Sequence, residues 1–326
     1  VRICLLTNQD IDSPDFPAED WRCDPRPYFP EAEWTVICVD DKETSVTEVE
    51  RAAEIGFDLF FNLCDGCASE DDNPGVEVVE TLDRLGLPYT GANPEFWEPS
   101  REKIKQVCKE LGIHTPASVR VSDDETFEKA LKELNFPMFV KHYSSYASVD
   151  ISRHSKVVSE AGLLRQVNKI VAKHGAALVE EYIEGDECTV LVAENPQAPE
   201  HPIAFTPVQY EFPDGHAFKH EALKWDEEHF KGLKAVVVKD PILAERLRRE
   251  SAALFRGLNG VGFGRCDIRL AKDGTPYMLE INANCGIYYP LDAAGSADFI
   301  LQLDPAGHVG FTRLLIDAAF ARNGKV

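Results

Sequence analysis

Three short apolar runs, Val1 to Thr7, Trp34 to Asp40 and Asp58 to Leu63, are rich in Val, Ile, Phe and Leu and are set apart by polar stretches. Runs of that length and composition predict strands. A helical period near Val76 to Leu85 follows them, so this part of the chain predicts a small parallel α/β lobe. Inside it, the polar, proline-containing stretch Asp10 to Pro30 predicts a long loop, a feature that in compact enzymes often accompanies function.

The pattern changes around Asn93 to Pro99. Ser100 is placed to cap a helix whose apolar positions Ile104, Val107, Cys108 and Leu111 follow the helical period until Gly112. A strand over Phe136 to Lys141, a Ser- and Tyr-rich loop from His142 to Ser152, a helix near Ala161 to Lys173 and a strand over Ala177 to Ile183 predict a second α/β lobe. Gly185-Asp186-Glu187 is expected to turn the chain into a third, opened by a strand over Cys188 to Ala193. That lobe holds a helix begun by Asp240 and Pro241 with the buried stripe Leu243, Leu247, Leu254 and Leu258. The expected domains are 1–96, 97–183 and 184–326. No internal repeat or low-complexity tract is present.

The segment Gly264 to Leu270, then Lys272-Asp273-Gly274-Thr275, then Tyr277 to Asn282 predicts a hairpin with an Asp-Gly turn. With Asp273 and Gly274 as a two-residue turn, Lys272 faces Thr275. Counting outward puts Asp267 opposite Glu280 and Arg265 opposite Asn282, all on one face. Two carboxylates facing each other destabilise a sheet unless a hard cation lies between them, and the Asn282 carbonyl supplies a further oxygen. Magnesium fits that set, and magnesium held by one or two carboxylates keeps positions for water and substrate phosphates, which points to a nucleotide. A half-exposed strand with alternating polar residues would show the same pattern.

Lys141 ends an apolar run and would present its ammonium beside a serine-rich loop, where Ser144, Ser145 and Ser148 could close over phosphates or simply be solvated. Glu180-Glu181-Tyr182-Ile183 ends a strand, and Glu187 follows near a domain hinge, either as a carboxylate for a ribose diol or as no more than part of an acidic turn. Phe212 to Phe230, with Lys219, Lys224 and Trp225, predicts a second lid.

Composition sharpens this picture. Lys and Arg total 34 against 56 Asp and Glu in 326 residues, a net charge of -22 with no basic block, which disfavours nucleic acid and anionic membranes as partners. A polyanion such as ATP would then need locally concentrated cations and a divalent metal. Nine scattered Cys suit a reducing compartment, with buried thiols as the default and metal or redox work at the Cys64/Cys67 pair as the lesser alternative. No segment is a transmembrane or signal sequence, so a cytoplasmic protein is expected, although the chain starts at Val1 and a leader before it stays open.

Taken together, the chain resembles the ATP-grasp superfamily, and within it the D-alanine:D-alanine ligase family. The resemblance rests on Gly86-Leu87-Pro88-Tyr89-Thr90-Gly91, Phe139-Val140-Lys141, Val179 to Ile183 with Glu187, Gly264-Arg265-Cys266-Asp267, and Leu279-Glu280-Ile281-Asn282 with Gly286. It implies a three-lobed α/β architecture with ATP between the central and C-terminal lobes. By the same resemblance, Lys103 and Lys141 hold phosphates, Glu180, Glu181, Tyr182, Ile183 and Leu279 line the adenine, and Glu187 binds the ribose. Asp267, Glu280 and Asn282 hold magnesium, with manganese as a substitute. Arg265 and the Gly286 N–H stabilise charge on the acyl centre. Lys224, from a lid, and Ser148 complete the catalytic set. The implied reaction phosphorylates a carboxylate and then lets an amine displace phosphate.

One departure bears on substrate. Where the family carries a Ser-containing stretch that grips the second D-alanine carboxylate, this chain reads Gly286-Ile287-Tyr288-Tyr289-Pro290-Leu291, and the N-terminal loop offers only Glu19 and Glu70 as acidic candidates. Altered specificity for an amino acid or small-peptide carboxylate and an amine is therefore expected, with Tyr288 and Tyr289 either shaping a pocket or packing. The alternatives are a kinase or carboxylase on the same nucleotide site, or a noncatalytic ATP-binding regulator. A homodimer is the expected assembly.

Overall fold

The structure, a computed structural model, describes residues 1–17, 20–67, 73–143, 150–212 and 233–324. Three sheets organise it. The first is parallel, in the order β2 (Glu33–Cys38), β1 (Arg2–Thr7), β3 (Leu59–Asn62). β1 and β3 are buried on both faces, as an unbroken apolar run requires in a covered parallel sheet. Helices α1 (Ser45–Ile55) and α2 (Val76–Arg84) pack on each other beside it.

Helix α3 (Arg101–Leu111) begins where Ser100 accepts the Lys103 N–H and ends where Gly112 takes the left-handed conformation, as its sequence requires. An antiparallel sheet follows in the order β4 (Ser118–Val121), β7 (Ala177–Glu181), β5 (Met138–His142), β6 (Lys156–Val157). Helices α4 (Asp124–Glu133) and α5 (Glu160–His174) cover it, and Val119, Met138, Val140, Leu163, Ile170 and Val179 give it a separate core.

The third sheet is antiparallel, in the order β11 (Lys234–Val237), β10 (Val208–Glu211), β8 (Gly185–Ala193), β12 (Phe263–Ala271), β13 (Pro276–Ala283), with β9 (Ile203–Ala204) on the end of β8. Its residues alternate between two cores. Cys188, Val190 and Val192 join α6 (Pro241–Gly257) in one, whereas Leu191 and Ala193 join α7 (Ser296–Leu303) and α8 (Gly307–Arg322) in the other. The first sheet feeds both cores too, through Cys4, Leu6 and Phe60 on one side and Ile3, Leu5 and Phe61 on the other. No helix among the described residues is long and apolar enough to cross a membrane.

Two local expectations are corrected. Gly185-Asp186-Glu187 is not a turn: it starts β8, pairing with Ala271, Leu270 and Arg269. The hairpin turn has three residues, because Ala271 N–H donates to Thr275 O at 2.9 Å and Gly274 N–H to Ala271 O at 2.8 Å. Gly274 there has φ +84°, which a side chain would resist. The pairing then slips once more, with Ile268 opposite Met278 and Asp267 opposite Glu280, so Leu279 is an extra residue in β13. The longer turn and the bulge offset each other, and the predicted Asp267/Glu280 and Arg265/Asn282 pairs stand. The periodicity argument also passed over α1, β4 and α4.

Beyond β13 the chain is held by Asp298, which is 1% exposed. It accepts the Tyr288 N–H at 2.9 Å and the Gly295 N–H at 3.1 Å, and lies 2.8 Å from His308 Nε2. Asp298→Ala leaves a buried donor, a half-buried one and the imidazole without this partner, so a loss of about 3 kcal/mol is expected in urea unfolding. A loss under about 1 kcal/mol would show that the segment is anchored elsewhere.

Candidate active site

The two facing carboxylates of the hairpin are each met by a guanidinium. Arg265 reaches Asp267 through Nε at 3.0 Å and Nη2 at 2.8 Å, a two-point contact. Thr189 Oγ1 and Asn282 Nδ2 also donate to Asp267, each at 3.0 Å. Glu280 Oε2 lies 2.9 Å from Arg101 Nη2, and Arg101 is 5% exposed at the first turn of α3, donating through Nη1 to His142 O at 2.9 Å. Its Nε is buried with no hydrogen-bond partner among the described residues. The helix N-terminus adds to the positive potential at this point.

Asp267, Glu280 and the Asn282 amide oxygen form an oxygen-only set, which suits a hard cation. With Asn282 Nδ2 turned to Asp267, the amide oxygen is directed elsewhere. Among the described residues no group of three His, Cys, Asp or Glu side chains could hold a metal ion. Two carboxylates and an amide fit magnesium that shares its remaining positions with phosphate and water. The orphaned Arg101 Nε is a donor fitted to the same anion.

Beside the hairpin an open cleft of about 720 Å³ runs between the second and third sheets. Phe139, Lys141, Ile151, Glu180, Glu181, Tyr182 and Ile183 line it from one side, and Glu187, Asp267, Arg269, Leu279 and Glu280 from the other. Glu180, 3% exposed, lies 2.8 Å from both Lys105 Nζ and Lys141 Nζ. Burial would raise its carboxyl, but the two lysines outweigh it and hold the group at about 2. Burial lowers Lys141 from its ordinary value despite the neighbouring Glu180. Arg269 spans the connection after β7, donating to Ile183 O at 3.2 Å and the Tyr182 hydroxyl at 3.1 Å, with Glu187 Oε2 3.6 Å away. Phe139 and Tyr182 stack with centroids 6.2 Å apart, an apolar wall suited to a flat ring.

Of the residues singled out from sequence, Lys141, Glu180, Glu181, Tyr182, Ile183, Glu187, Asp267, Leu279 and Glu280 meet in this cleft, with Arg265 and Asn282 adjoining Asp267. Lys103 does not join them. It is exposed on α3, and the helix turns Arg101 and Lys105 inward instead. Those two and Arg269 escaped the sequence argument, although Arg101 and Lys105 are one helical turn apart and Arg265, Asp267 and Arg269 alternate along β12. Ser148 with Ser144 and Ser145, Lys224 with Lys219 and Trp225, and Glu19 and Glu70 lie outside the described residues. Cys64 and Cys67 are both buried.

Gly286 lies just past β13, and the two tyrosines after it diverge. Tyr288, with φ +66°, is 2% exposed, packs edge-on against Phe61 and places its hydroxyl 2.9 Å from Thr312 Oγ1. Tyr289 is half-buried and stands over Gly286: a Cβ there would come within 2.6 Å of its hydroxyl oxygen. Trp21 and Asp24, from the Asp10 to Pro30 stretch, adjoin them. Asp24 N–H donates to Tyr288 O at 3.1 Å, and Trp21 meets the Tyr289 ring edge-on at 5.9 Å.

A family model described as D-ala D-ala ligase C-terminus matches residues 108–289. An uncharacterized protein of Sinorhizobium fredii is 30% identical over 84% of this chain and 79% of its own length. A D-alanine--D-alanine ligase of Neisseria gonorrhoeae is 30% identical over 83% of this chain and 86% of its own. Among solved structures, D-alanine--D-alanine ligase from Bacillus anthracis complexed with ATP superposes with a TM-score of 0.71 at 19% identity, covering 99% of this chain and 98% of that one, a likeness of fold.

Glu180 yields a test of the site's electrostatics. A carboxyl depressed from its ordinary 4.5 to about 2 stabilises the fold above 4.5, and that stabilisation fades as pH falls through about 2. Lys105→Met, which leaves Glu180 only Lys141, is expected to cost about 2 kcal/mol at pH 7. The gap between variant and wild type should narrow between pH 4.5 and pH 2 in urea unfolding; a pH-independent gap would remove Glu180 from the explanation.

Proposed function

The chain belongs to the D-alanine–D-alanine ligase family, and from that premise we propose that it joins the carboxylate of an amino acid or small peptide to an amine other than the D-alanine of its named relatives. It is an ATP-dependent ligase with an ATP-grasp fold, forms C–N bonds and uses magnesium. The observation that carries the residue assignment is the Asp267/Glu280 pair with its two guanidiniums, at the mouth of a cleft walled by Phe139, Tyr182 and Leu279.

In our assignment Phe139, Tyr182, Ile183 and Leu279 sandwich the adenine, the ordered Glu180–Lys141 pair and Glu181 border it, and Glu187, steadied by Arg269, takes the ribose. Lys141 and Arg101 hold phosphate oxygens, Arg101 replacing the exposed Lys103 in that task. Asp267, Glu280 and Asn282 hold magnesium, which supplies charge neutralisation for phosphoryl transfer. Arg265 leans on Asp267 and, with the Gly286 N–H, is poised to stabilise negative charge at the acyl centre; burial opposes its charge, but Asp267 raises its pKa further. Lys224 and Ser148, which lie outside the described residues, complete the proposed set. In the first half of the reaction a carboxylate oxygen takes the terminal phosphoryl group and ADP leaves. In the second the amine nitrogen bonds the acyl carbon, the bond to phosphate breaks, and one proton leaves the nitrogen.

The domain division 1–96, 97–183 and 184–326 then gives the first segment to the acyl substrates and the other two to the nucleotide. The net charge of -22 supports small-molecule partners over nucleic acid, and we assign the enzyme to the cytoplasm as a homodimer.

The test is ADP and phosphate release with ATP, magnesium and a panel of L- and D-amino acids and dipeptides, with products weighed by mass spectrometry. Release that rises with added amine and yields an amide is expected, falling at least 100-fold in Glu280→Gln. Arg101→Met should weaken ATP binding about 10-fold more than Lys103→Met. A phosphorylated or carboxylated product would sink the ligase assignment, and equal effects at 101 and 103 would sink that of Arg101.

A further inference from the structure

We infer that Tyr289, with Trp21, selects the amine: its hydroxyl hydrogen-bonds the attacking nitrogen, and the two rings favour a primary amine that bears an apolar or aromatic substituent. The inference rests on the proposed placing of the acyl centre at Arg265 and Gly286, and deepens it by naming the acceptor class.

The phenol's position is built. Its hydroxyl oxygen would lie 2.6 Å from a Cβ at Gly286, and its Cδ2 3.0 Å from a Cβ at Gly295, so the ring lies against two residues without side chains. Any side chain at either position would displace it. Trp21 meets the ring at 70° with centroids 5.9 Å apart, and the Asp24 N–H to Tyr288 O bond ties the Trp21 loop to the same segment. The preceding tyrosine has no part in this, since it is buried with its hydroxyl on Thr312.

A nitrogen attacking a carbon held at the Gly286 N–H must pass close to Gly286, where the phenol oxygen stands ready to accept one of its N–H bonds. The hydroxyl is not a base. Burial, with the nearby Cys23, Asp65 and Asp298, drives its pKa far above the ordinary phenol value, so it stays neutral and serves as a hydrogen-bonding partner. The substituent on the amine then meets the two aromatic rings, which reward apolar area and flat shape.

Hydroxylamine separates activation of the acid from choice of the amine, because it is a small nucleophile without a carbon substituent. The experiment measures ATP- and magnesium-dependent hydroxamate formation across a panel of amino acids. Amide formation is measured with the same acids and with alanine, phenylalanine and phenethylamine as acceptors. The wild type is expected to prefer phenylalanine or phenethylamine to alanine. Tyr289→Phe, which removes only the hydroxyl, should raise KM about 10-fold for the amine and for hydroxylamine alike, since both present an N–H to that oxygen, with KM for ATP and the acid unchanged and kcat changed less. Trp21→Ala and Tyr289→Ala should erase the preference for the aromatic acceptor. An unchanged KM for both nucleophiles in Tyr289→Phe overturns the inference, as does an unchanged rank order of acceptors in Trp21→Ala and Tyr289→Ala. A wild type that makes no hydroxamate from any acid overturns the ligase assignment itself and this inference with it.

Discussion

The structure depends on how two carboxylates are kept opposite each other in one hairpin. Asp267 and Glu280 face across β12 and β13, an arrangement that destabilises a sheet unless positive charge answers it. The answer comes from two directions. Arg265 lies on the same strand as Asp267, whereas Arg101 comes from the start of α3, 179 residues before Glu280. The second contact makes the hairpin's electrostatics a packing constraint: α3 is held with its N-terminus at the site, and its own apolar side joins Cys266, Ile268 and Met278 in the same core. A magnesium ion and phosphates at this place would enter a site whose charges are already paired, so the guanidiniums can exchange carboxylate oxygens for phosphate oxygens without any cation being left buried alone.

The same device recurs deeper in the cleft with the sign reversed. Glu180 is the carboxylate between two lysines, one from α3 and one from β5, and it draws together elements that wall the cleft. For a chain of net charge -22 this economy matters. Arg101 and Lys105, one turn apart on α3, put two of the chain's 34 cationic residues on one helix face and tie that helix to both sheets. An acidic protein can thus present a local positive field to a polyanion while its surface stays acidic.

Much of this was legible in sequence because the strongest signals were the longest. Apolar runs gave β1, β3 and β7, the helical period gave α3, α5 and α6, and the alternating polar residues of β12 and β13 gave the facing acids. Two of the helices that were missed bury little: Ala130 is the only buried residue of α4, and α1 buries Ser45, Val49 and Ala52. Such helices are held by caps and neighbours more than by an apolar stripe, as the Asp123–Thr126 capping box of α4 illustrates. Arg101 and Lys105 were hidden for another reason. A cation on a helix reads as solvent-facing until the partner carboxylate, distant in sequence, is known. Tyr288 and Tyr289 were indistinguishable as letters, and only the left-handed backbone at Tyr288 sends one into the core and the other over Gly286.

The hairpin shows why a correct pairing can follow from an incorrect turn. A three-residue turn alone would have moved Glu280 one place along and onto the other face, because strand side chains alternate. Leu279 restores the register by standing as an extra residue in β13. β13 is the edge of its sheet, where an extra residue disrupts one ladder only. The bulge also changes what the strand presents. Leu279 and Glu280, neighbours that regular pleating would send to opposite faces, both line the cleft, so one strand supplies an apolar surface for a flat ring and a carboxylate for a cation at adjacent positions. A regular two-residue hairpin would have kept the acids facing each other but turned Leu279 away from the cleft. The bulge is therefore what joins the apolar wall of the cleft to its charged mouth.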